Sequence, residues 1–429
     1  MSSPDAPTES VGGERVRSRG RPVVTAVALV AVVAAAVGCD RWGGEPTSNP
    51  VIAAGPDRSR PGAQAHLSEA VLRIQAAAVA DHDRAGFLAT WDSGAAVQGL
   101  AARTYANLTR LGVSRLDPLL AGATRSGGTS SWSAEVDLGW RLDGLRAPAA
   151  TSVLRYGFTA VGGGALVTSI TAPVDGRTPV WLLPGLDVRR GPRTLVVATD
   201  AATAQRVERL LTQAVDAVGA VLPSWRGSVV AYAPGTPQQF ATLTATRPGD
   251  YHGIAAVTTT VDGSGDERSA AAIVVNPSVF GRLGPLGAHV VIAHEATHLA
   301  TRAAAVSMPL WLAEGFADYV GIGSVDLPAT VAAEAALDVV RRDGPPHELP
   351  TDASLSVGTA GLEATYESAW LATMLIDRTY GRQRLVAFYR WVQAHPAELD
   401  EGFDLVLGTT RSAFTAAWRD YLQELAGGG

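Results

Sequence analysis

The 429-residue sequence contains no lysine, and its 35 basic residues are all arginines. These arginines form no basic block beyond the extreme N-terminus, and the formal net charge is -6. We therefore expect no nucleic-acid partner, because nucleic-acid binding depends on concentrated positive charge. Cys39 is the only cysteine, which excludes an intrachain disulfide. A hydrophobic content of 47% and a charged content of 18% indicate a chain with hydrophobic cores and exclude wholesale disorder.

A short apolar segment near the N-terminus has the features of an export signal. An arginine-rich start over residues 15–21 precedes an apolar run over residues 22–38, which is shorter than the ~20 residues of a membrane-spanning helix. The run ends in Ala36-Val37-Gly38-Cys39, which resembles a bacterial lipobox, with alanine in place of the usual leucine at its first position. The resemblance implies that residues 1–39 are a signal peptide and that a lipid on Cys39 anchors the exported protein to the cell membrane, facing the extracytoplasmic side. An uncleaved membrane anchor and a plain secretory peptide are the alternatives.

The remaining chain is too long for one ordinary domain, and its composition changes along its length. Residues 40–65 are rich in Gly, Pro, Ser and Asn, which predicts a flexible tether. Residues 66–175 begin with helix-like stretches and continue with strand-like runs, which predicts an α+β unit. That order is similar to the NTF2-like domains of many exported proteins. The polar residues Asp81, His82 and Asp83 predict a solvated turn at a helix end.

Residues 180–429 form the second predicted unit, a small sheet followed by a helical C-terminal part. The predicted strands are RTLVVATD, SVVAYAP and SAAAIVVNPSVF, with an amphipathic helix between the first two. The last of these strands is expected to be the sheet edge against which an extended peptide pairs. The sequence as a whole therefore predicts an α+β protein.

The helix expected to begin near Leu286 carries the motif His294-Glu295-Ala296-Thr297-His298. Two histidines four residues apart lie on one face of a helix, so both imidazoles can bind one ion. The surrounding residues are apolar nearly all round, which predicts a buried helix whose polar side chains need a partner. One Zn²⁺ ion would supply it. An ordinary helix with two surface histidines is the alternative.

A second helix, expected after Pro309, supplies the third ligand. Fifteen residues separate His298 from Glu314, enough to end one helix, turn and place the next one antiparallel beside it. Glu314 then faces the histidine pair, and Asp318, one turn further on, can accept a hydrogen bond from His294. The alternative is that Glu314 and Asp318 are surface carboxylates.

These residues resemble the gluzincin zinc metallopeptidases and, in their short spacing, the peptidase MA-like exported proteins. Gluzincins carry HExxH on one helix and a glutamate ligand in a WxxEGxA-like stretch on the next, often with aspartate four residues on; Trp311, Gly315 and Ala317 complete that stretch here. The resemblance implies a zincin-like fold for the second unit. It also implies metal ligands His294, His298 and Glu314.

The segment TYESAWLATMLIDRTYGRQRLVAFYRWV is similar to the helical stretch that follows the site in the same family. In gluzincins a tyrosine from this region donates a hydrogen bond to the developing oxyanion. The matching residue is Tyr366, with Tyr319 and Tyr380 as weaker candidates. Burial of Tyr366 in helix packing is the alternative.

The expected function is zinc-dependent hydrolysis of peptide bonds outside the cell membrane, with Glu295 accepting a proton from the water on the metal. Peptides or proteins are the expected substrates. Two alternatives stay open. One is a lipid-anchored binding or scaffold protein that keeps the metallopeptidase fold without turnover. The other is a zinc hydrolase of non-peptide amides, because the same chemistry serves any carbonyl.

Overall fold

The computed structural model describes residues 62–121, 125–126, 130–145, 147–247, 251, 253–356 and 358–428. The predicted signal peptide, its Cys39 and nearly all of the predicted tether lie outside these residues. Within these ranges, no helix combines the length and the apolar character that crossing a membrane requires. The described residues form helices and two small sheets, so the predicted α+β class is confirmed.

The N-terminal unit consists of helices followed by an antiparallel sheet. Its helices are α1 (Ala63–Ala80), α2 (Arg84–Ala89) and α3 (Ala95–Arg110). Its strands are β1 (Leu116–Leu120), β2 (Arg125–Ser126), β3 (Ser131–Trp140), β4 (Ala150–Val161) and β5 (Gly164–Thr171). The sheet order is β1-β3-β4-β5, and β2 pairs with β3. The first helix thus begins at Ala63, slightly before the predicted end of the tether.

Alternating burial explains how the helices cover one face of this sheet. Every second residue of β3 is buried, from Trp132 to Trp140, as the period of two predicts. The indole of Trp132 donates a 2.9 Å hydrogen bond to Ser68 of α1. His82 has a φ of 55°, and Asp83 caps α2 through the Gly86 amide. The predicted solvated turn at residues 81–83 is therefore confirmed.

The second unit contains a five-stranded mixed sheet. Its strands are β6 (Asp187–Arg190), β7 (Thr194–Ala198), β8 (Val229–Ala233), β9 (Ala256–Thr260) and β10 (Ala271–Val275). The order is β6-β7-β8-β10-β9, in which β7, β8 and β10 run parallel and the two outer strands run antiparallel to their neighbours. The sequence prediction missed β6 and β9.

The predicted sheet edge is wrong. The strand at Ala271–Val275 pairs with β8 on one side and with β9 on the other, so it is an interior strand. Among the described residues, β9 has a strand neighbour on one side only. The error arises because β9 follows β8 in the chain but lies beyond β10 in the sheet, an order that local sequence does not encode.

The helices of the second unit surround this sheet and form most of the C-terminal part. They are α4 (Ala201–Val221), α5 (Pro237–Thr244), α6 (Pro277–Phe280), α7 (Pro285–Thr301), α8 (Leu310–Gly323), α9 (Ala329–Ala332), α10 (Glu334–Asp343), α11 (Leu362–Tyr380), α12 (Arg382–Ala394), α13 (Leu399–Gly402) and α14 (Arg411–Gly427). Short 3-10 turns lie at Val180–Leu182 and Ala303–Ala305, and a π-helical turn spans Phe403–Leu407. The helices α11 and α12, separated at Gly381, cover the segment for which the sequence analysis expects helical structure.

The two units share buried contacts. One hydrophobic cluster includes side chains of both sheets and of the C-terminal helices. The buried amide of Asn107 on α3 donates hydrogen bonds of 3.0 and 2.8 Å to the carbonyl oxygens of Trp181 and Leu183. These bonds fix the start of the second unit against the first.

Helix α11 is joined to α10 by a buried carboxylate. Oε2 of Glu367 accepts a 2.7 Å hydrogen bond from the Ala336 amide in the first turn of α10. Burial, only partly offset by this bond, raises the pKa of Glu367 to about 8. At pH values between the ordinary pKa of a glutamate and about 8, Glu367 is therefore protonated in the folded protein and ionised in the unfolded chain.

We therefore expect the free energy of unfolding to fall as pH rises from about 5 to 8, by at most about 1.4 kcal/mol per pH unit from this one group. The variant Glu367→Gln keeps the acceptor without the titration, so its stability should change less over the same window. Urea denaturation at several pH values measures both slopes. The exposed control Glu401→Gln should behave as the wild type, and an unchanged slope in Glu367→Gln would refute the assignment.

Candidate metal centre

Helix α7 is buried along the part that carries the HExxH motif. Pro285 occupies the first turn, where its missing N–H costs nothing, and apolar residues fill the turns that follow. The exposed fractions of His294, Glu295 and His298 are 2%, 0% and 1%. Polar side chains buried to this degree need partners, as the sequence predicts.

Helix α8 lies antiparallel to α7 at very short range. Along α8, Glu314 lies beside the histidines, Asp318 beside His294, and Gly321 one turn further towards the start of α7. A Cβ atom at Gly321 would lie 2.9 Å from the Val290 carbonyl oxygen. On the opposite side, a Cβ atom at Gly315 would collide with the Ala369 carbonyl oxygen of α11. These two glycines allow α8 to fit between α7 and α11.

This packing brings three ligand atoms together. Oε2 of Glu314 lies 3.2 Å from Nε2 of His294 and 3.2 Å from Nε2 of His298, and the two Nε2 atoms are 2.9 Å apart. In a tetrahedral zinc site with bonds of about 2.0–2.1 Å, ligand atoms are separated by roughly 3.3 Å. The three buried side chains can therefore hold one metal ion, and they are the one such group of three among the described residues.

Asp318 fixes the orientation of the first histidine ring. Its Oδ1 lies 2.7 Å from Nδ1 of His294. A carboxylate only accepts hydrogen bonds, so Nδ1 carries the donated proton, and Nε2 is the ring atom left to bind a metal ion. This is the pairing that the spacing of the two helices predicts.

The charges of the site favour a cation. Burial alone would lower the pKa of His294, but Asp318 and Glu314 raise it well above its ordinary value. Burial alone would raise the pKa of Glu314, but the imidazoles of His298 and His294 lower it to about 2. The imidazole nitrogens of the two histidines and the carboxylate of Glu314 thus face one point. A proton or a metal ion at that point is stabilised by their electron pairs.

Glu295 is held by a residue that the sequence analysis missed. The hydroxyl of Thr258 on β9 lies 2.7 Å from Oε2 of Glu295 and 2.9 Å from the carbonyl oxygen of the same residue. Oε1 of Glu295 is buried and accepts no hydrogen bond from the described residues. Burial raises the pKa of Glu295, although the neighbouring histidines act in the opposite direction. Oε2 of Glu295 is therefore held by a hydrogen bond, whereas Oε1 has no hydrogen-bond partner among the described residues.

The three tyrosines singled out from the sequence differ in their surroundings. Tyr366 on α11 is 1% exposed, and its hydroxyl has no hydrogen-bond partner among the described residues. Burial raises the pKa of Tyr366, and the charges of Glu314, Asp318 and Glu295 raise it further, so its hydroxyl lies within electrostatic range of the site.

The other two tyrosines are not brought to the site. The Tyr319 hydroxyl donates a 2.8 Å hydrogen bond to Asp377 and accepts one from Arg382. Tyr380 is the last residue of α11, and none of the hydrogen bonds that His294, His298 and Glu314 make with the described residues goes to it. Tyr389 of α12, which the sequence analysis did not consider, has a pKa raised by burial and also by the charge of Glu314.

We expect Asp318→Asn to lower the zinc affinity about 10- to 100-fold, because the ring keeps a neighbour of the same size but loses the charge that makes it a stronger ligand. Competition with a chelator of known affinity measures the change. The control Asp377→Asn removes a carboxylate that bonds to Tyr319 rather than to a ligand, and it should leave the zinc affinity unchanged. Equal affinities in wild type and Asp318→Asn would contradict the assigned role.

Comparison with protein-family models, with curated proteins and with solved structures finds no match for this chain.

Proposed function

We propose that this protein is a zinc-dependent peptidase of the gluzincin type, exported and anchored to the cell membrane through a lipid on Cys39. In this proposal an NTF2-like unit precedes a zincin-like unit. The observation that carries the proposal is the triangle of His294, His298 and Glu314, with the free oxygen of Glu295 one residue from the first ligand. A structural metal site has no need for that additional carboxylate.

The donor set favours zinc over harder ions. Two imidazole nitrogens suit zinc and other transition metals, whereas magnesium and calcium prefer oxygen ligands throughout. Three protein ligands also leave one position of a tetrahedron open, which is the pattern of catalytic rather than structural zinc sites. Zinc bound there would supply Lewis-acid activation of a water molecule and of the substrate carbonyl.

The side chains around the ligands have separate tasks in peptide hydrolysis. Oε1 of Glu295 accepts the proton of the attacking water and returns it to the leaving nitrogen, while Thr258 holds Oε2 in place. Asp318 keeps His294 in the tautomer that binds metal through Nε2. The Tyr366 hydroxyl, which has no other partner in the described residues, donates a hydrogen bond to the developing oxyanion. An extended substrate pairs with β9, the outer strand next to α7.

The proposal is tested by metal analysis together with digestion of a peptide library by wild type and Glu295→Gln. About one zinc per chain, with cleavage that disappears in the variant, is the expected result. Equal cleavage by both proteins would show that the cleavage does not depend on Glu295 and would refute the proposed mechanism.

A lipid-anchored binding protein is the second candidate. The observation that favours it is the near-complete burial of the site, since the three ligands and Glu295 are exposed by 2% or less. Zinc binding without cleavage by either protein would support this candidate.

Thr258 offers a test of how Glu295 is positioned. We expect Thr258→Val to lower kcat about 10-fold or more with little change in KM, because a carboxylate without this hydrogen bond spends less time aligned for proton transfer. Thr258→Ser, which keeps the hydroxyl, should recover most of the loss. Steady-state kinetics and zinc content measured on both variants decide the matter, and equal activity of the Val and Ser variants would contradict a role for the hydroxyl.

A further inference from the structure

A cavity of about 210 Å³ adjoins the candidate metal centre. The ligand His298 and the positioning residue Thr258 both line it, so it opens directly beside the groups that would carry out the reaction. Its volume is below the roughly 300–1,000 Å³ of pockets that enclose whole small molecules. A space of this size next to a reacting centre fits a single side chain.

The lining of the cavity is about half apolar, and it includes five alanines and the ring of Trp225. The hydroxyls of Thr258 and Ser269 also line the cavity, but each already donates a hydrogen bond to a carboxylate, that of Glu295 or Asp262. The lining therefore offers an occupant few hydrogen-bond donors. An apolar occupant is therefore favoured, because a polar one would lose its hydrogen bonds to water without replacement.

One wall is fixed in position. The guanidinium group of Arg193 lies over the Trp225 ring at 4.2 Å from its centroid. The same group donates a 3.0 Å hydrogen bond to the Gly227 carbonyl oxygen and a longer one to the carbonyl oxygen of Trp225. Arg193 thus holds the Trp225 ring in position, and the cavity cannot readily enlarge by movement of this ring.

Charges of both signs line the cavity. Asp266 and Glu267 line one side, and the exposed Arg302 lines another. Asp266 is already paired with Arg268 at 2.9 Å. Neither a cationic nor an anionic side chain meets a field of one sign here, so electrostatics do not select for a charged occupant.

The N-terminal unit contributes to this cavity. Ala147 and Pro148 belong to the connection between β3 and β4, whereas the other lining residues belong to the second unit. The pocket is therefore complete only when the two units are packed together.

We propose that this cavity is the side-chain pocket of the peptidase site and that it selects an uncharged aliphatic residue, from alanine to leucine in size, next to the cleaved bond. The inference rests on the proposed peptidase function and adds a substrate class to it. It also gives the N-terminal unit a task, which is to form one wall of the specificity pocket.

The test is a binding selection with a degenerate hexapeptide library blocked at both ends. The protein is zinc-loaded Glu295→Gln, alone and combined with Ala304→Leu, with Ala147→Leu or with the exposed control Ala202→Leu. We expect aliphatic residues to be enriched at one peptide position in the parent protein. Each wall variant should reduce the enrichment of leucine over glycine at that position by about 10-fold, because the added side chain fills the space. The control should retain the parent pattern.

The outcomes separate the pocket from the catalysis. An aliphatic preference that both wall variants leave unchanged, a preference for charged residues, or no enrichment at any position would overturn the pocket. Zinc content and circular dichroism of each variant exclude misfolding as the cause of a loss. Digestion by the zinc-loaded wild type is read separately, so an aliphatic preference without cleavage would leave the pocket standing and remove the peptidase function.

Discussion

Glu295→Gln is expected to reduce peptide cleavage by about 10²- to 10⁴-fold, the usual contribution of a general base in proton transfer. The amide has the same shape as the carboxylate and can still accept the hydrogen bond from Thr258, but it cannot take up a proton from water. Zinc content should stay near that of the wild type, because Glu295 is not one of the three converging ligands. Single-turnover kinetics on a defined peptide, with metal content measured on the same samples, give both numbers.

The exposed control Glu401→Gln should change neither quantity. Activity in Glu295→Gln equal to the wild type, with zinc present in both, would show that the proton passes through another group. A loss of zinc together with activity would instead assign Glu295 to the metal's support. These outcomes can be distinguished because Oε2 of Glu295 is hydrogen-bonded to Thr258, whereas Oε1 has no hydrogen-bond partner among the described residues.

The candidate metal centre is the part of this protein that local sequence predicts best. The helical period places His294 and His298 on one face, and the short connection before α8 limits where Glu314 can lie. The structure places Glu314 3.2 Å from both rings and Asp318 at His294. Periodicity along two neighbouring helices, together with the gluzincin resemblance, was therefore enough to find four side chains that the structure brings together.

Thr258 could not be found in the same way. It lies on β9, a short strand followed by a Gly- and Asp-rich loop, and it meets Glu295 across 37 positions of sequence. The β-branched run Val257–Thr260 was the available signal for a strand. Its place beyond β10 depends on how the strands cross over, which no local pattern specifies. The same limit explains the wrong sheet edge and the missed cavity, whose walls come from segments far apart in the chain.

Glu314→Gln is expected to abolish the zinc-dependent gain in thermal stability. At a free zinc concentration about 100 times its dissociation constant, a ligand that binds only the folded state adds about 2.7 kcal/mol. For a unit of this size, that corresponds to a rise in Tm of roughly 5–10 °C. The glutamine cannot supply the negative charge that faces the two imidazoles, so the remaining pair of rings binds zinc too weakly to produce the shift at the same concentration.

Because the same side chains would bind one ion, we also expect the variants to differ in the size of their zinc-dependent change in Tm. Thermal unfolding with added zinc and with a chelator should give the largest difference in Tm for the wild type, an intermediate one for Asp318→Asn and none for Glu314→Gln, because the second change removes a ligand and the first only weakens one. Glu401→Gln should match the wild type. A zinc-induced shift in Glu314→Gln as large as in the wild type would mean that the ion binds elsewhere in the chain. In that case the convergence of α7 and α8 would serve packing alone, and Glu295 would have no metal centre to act upon.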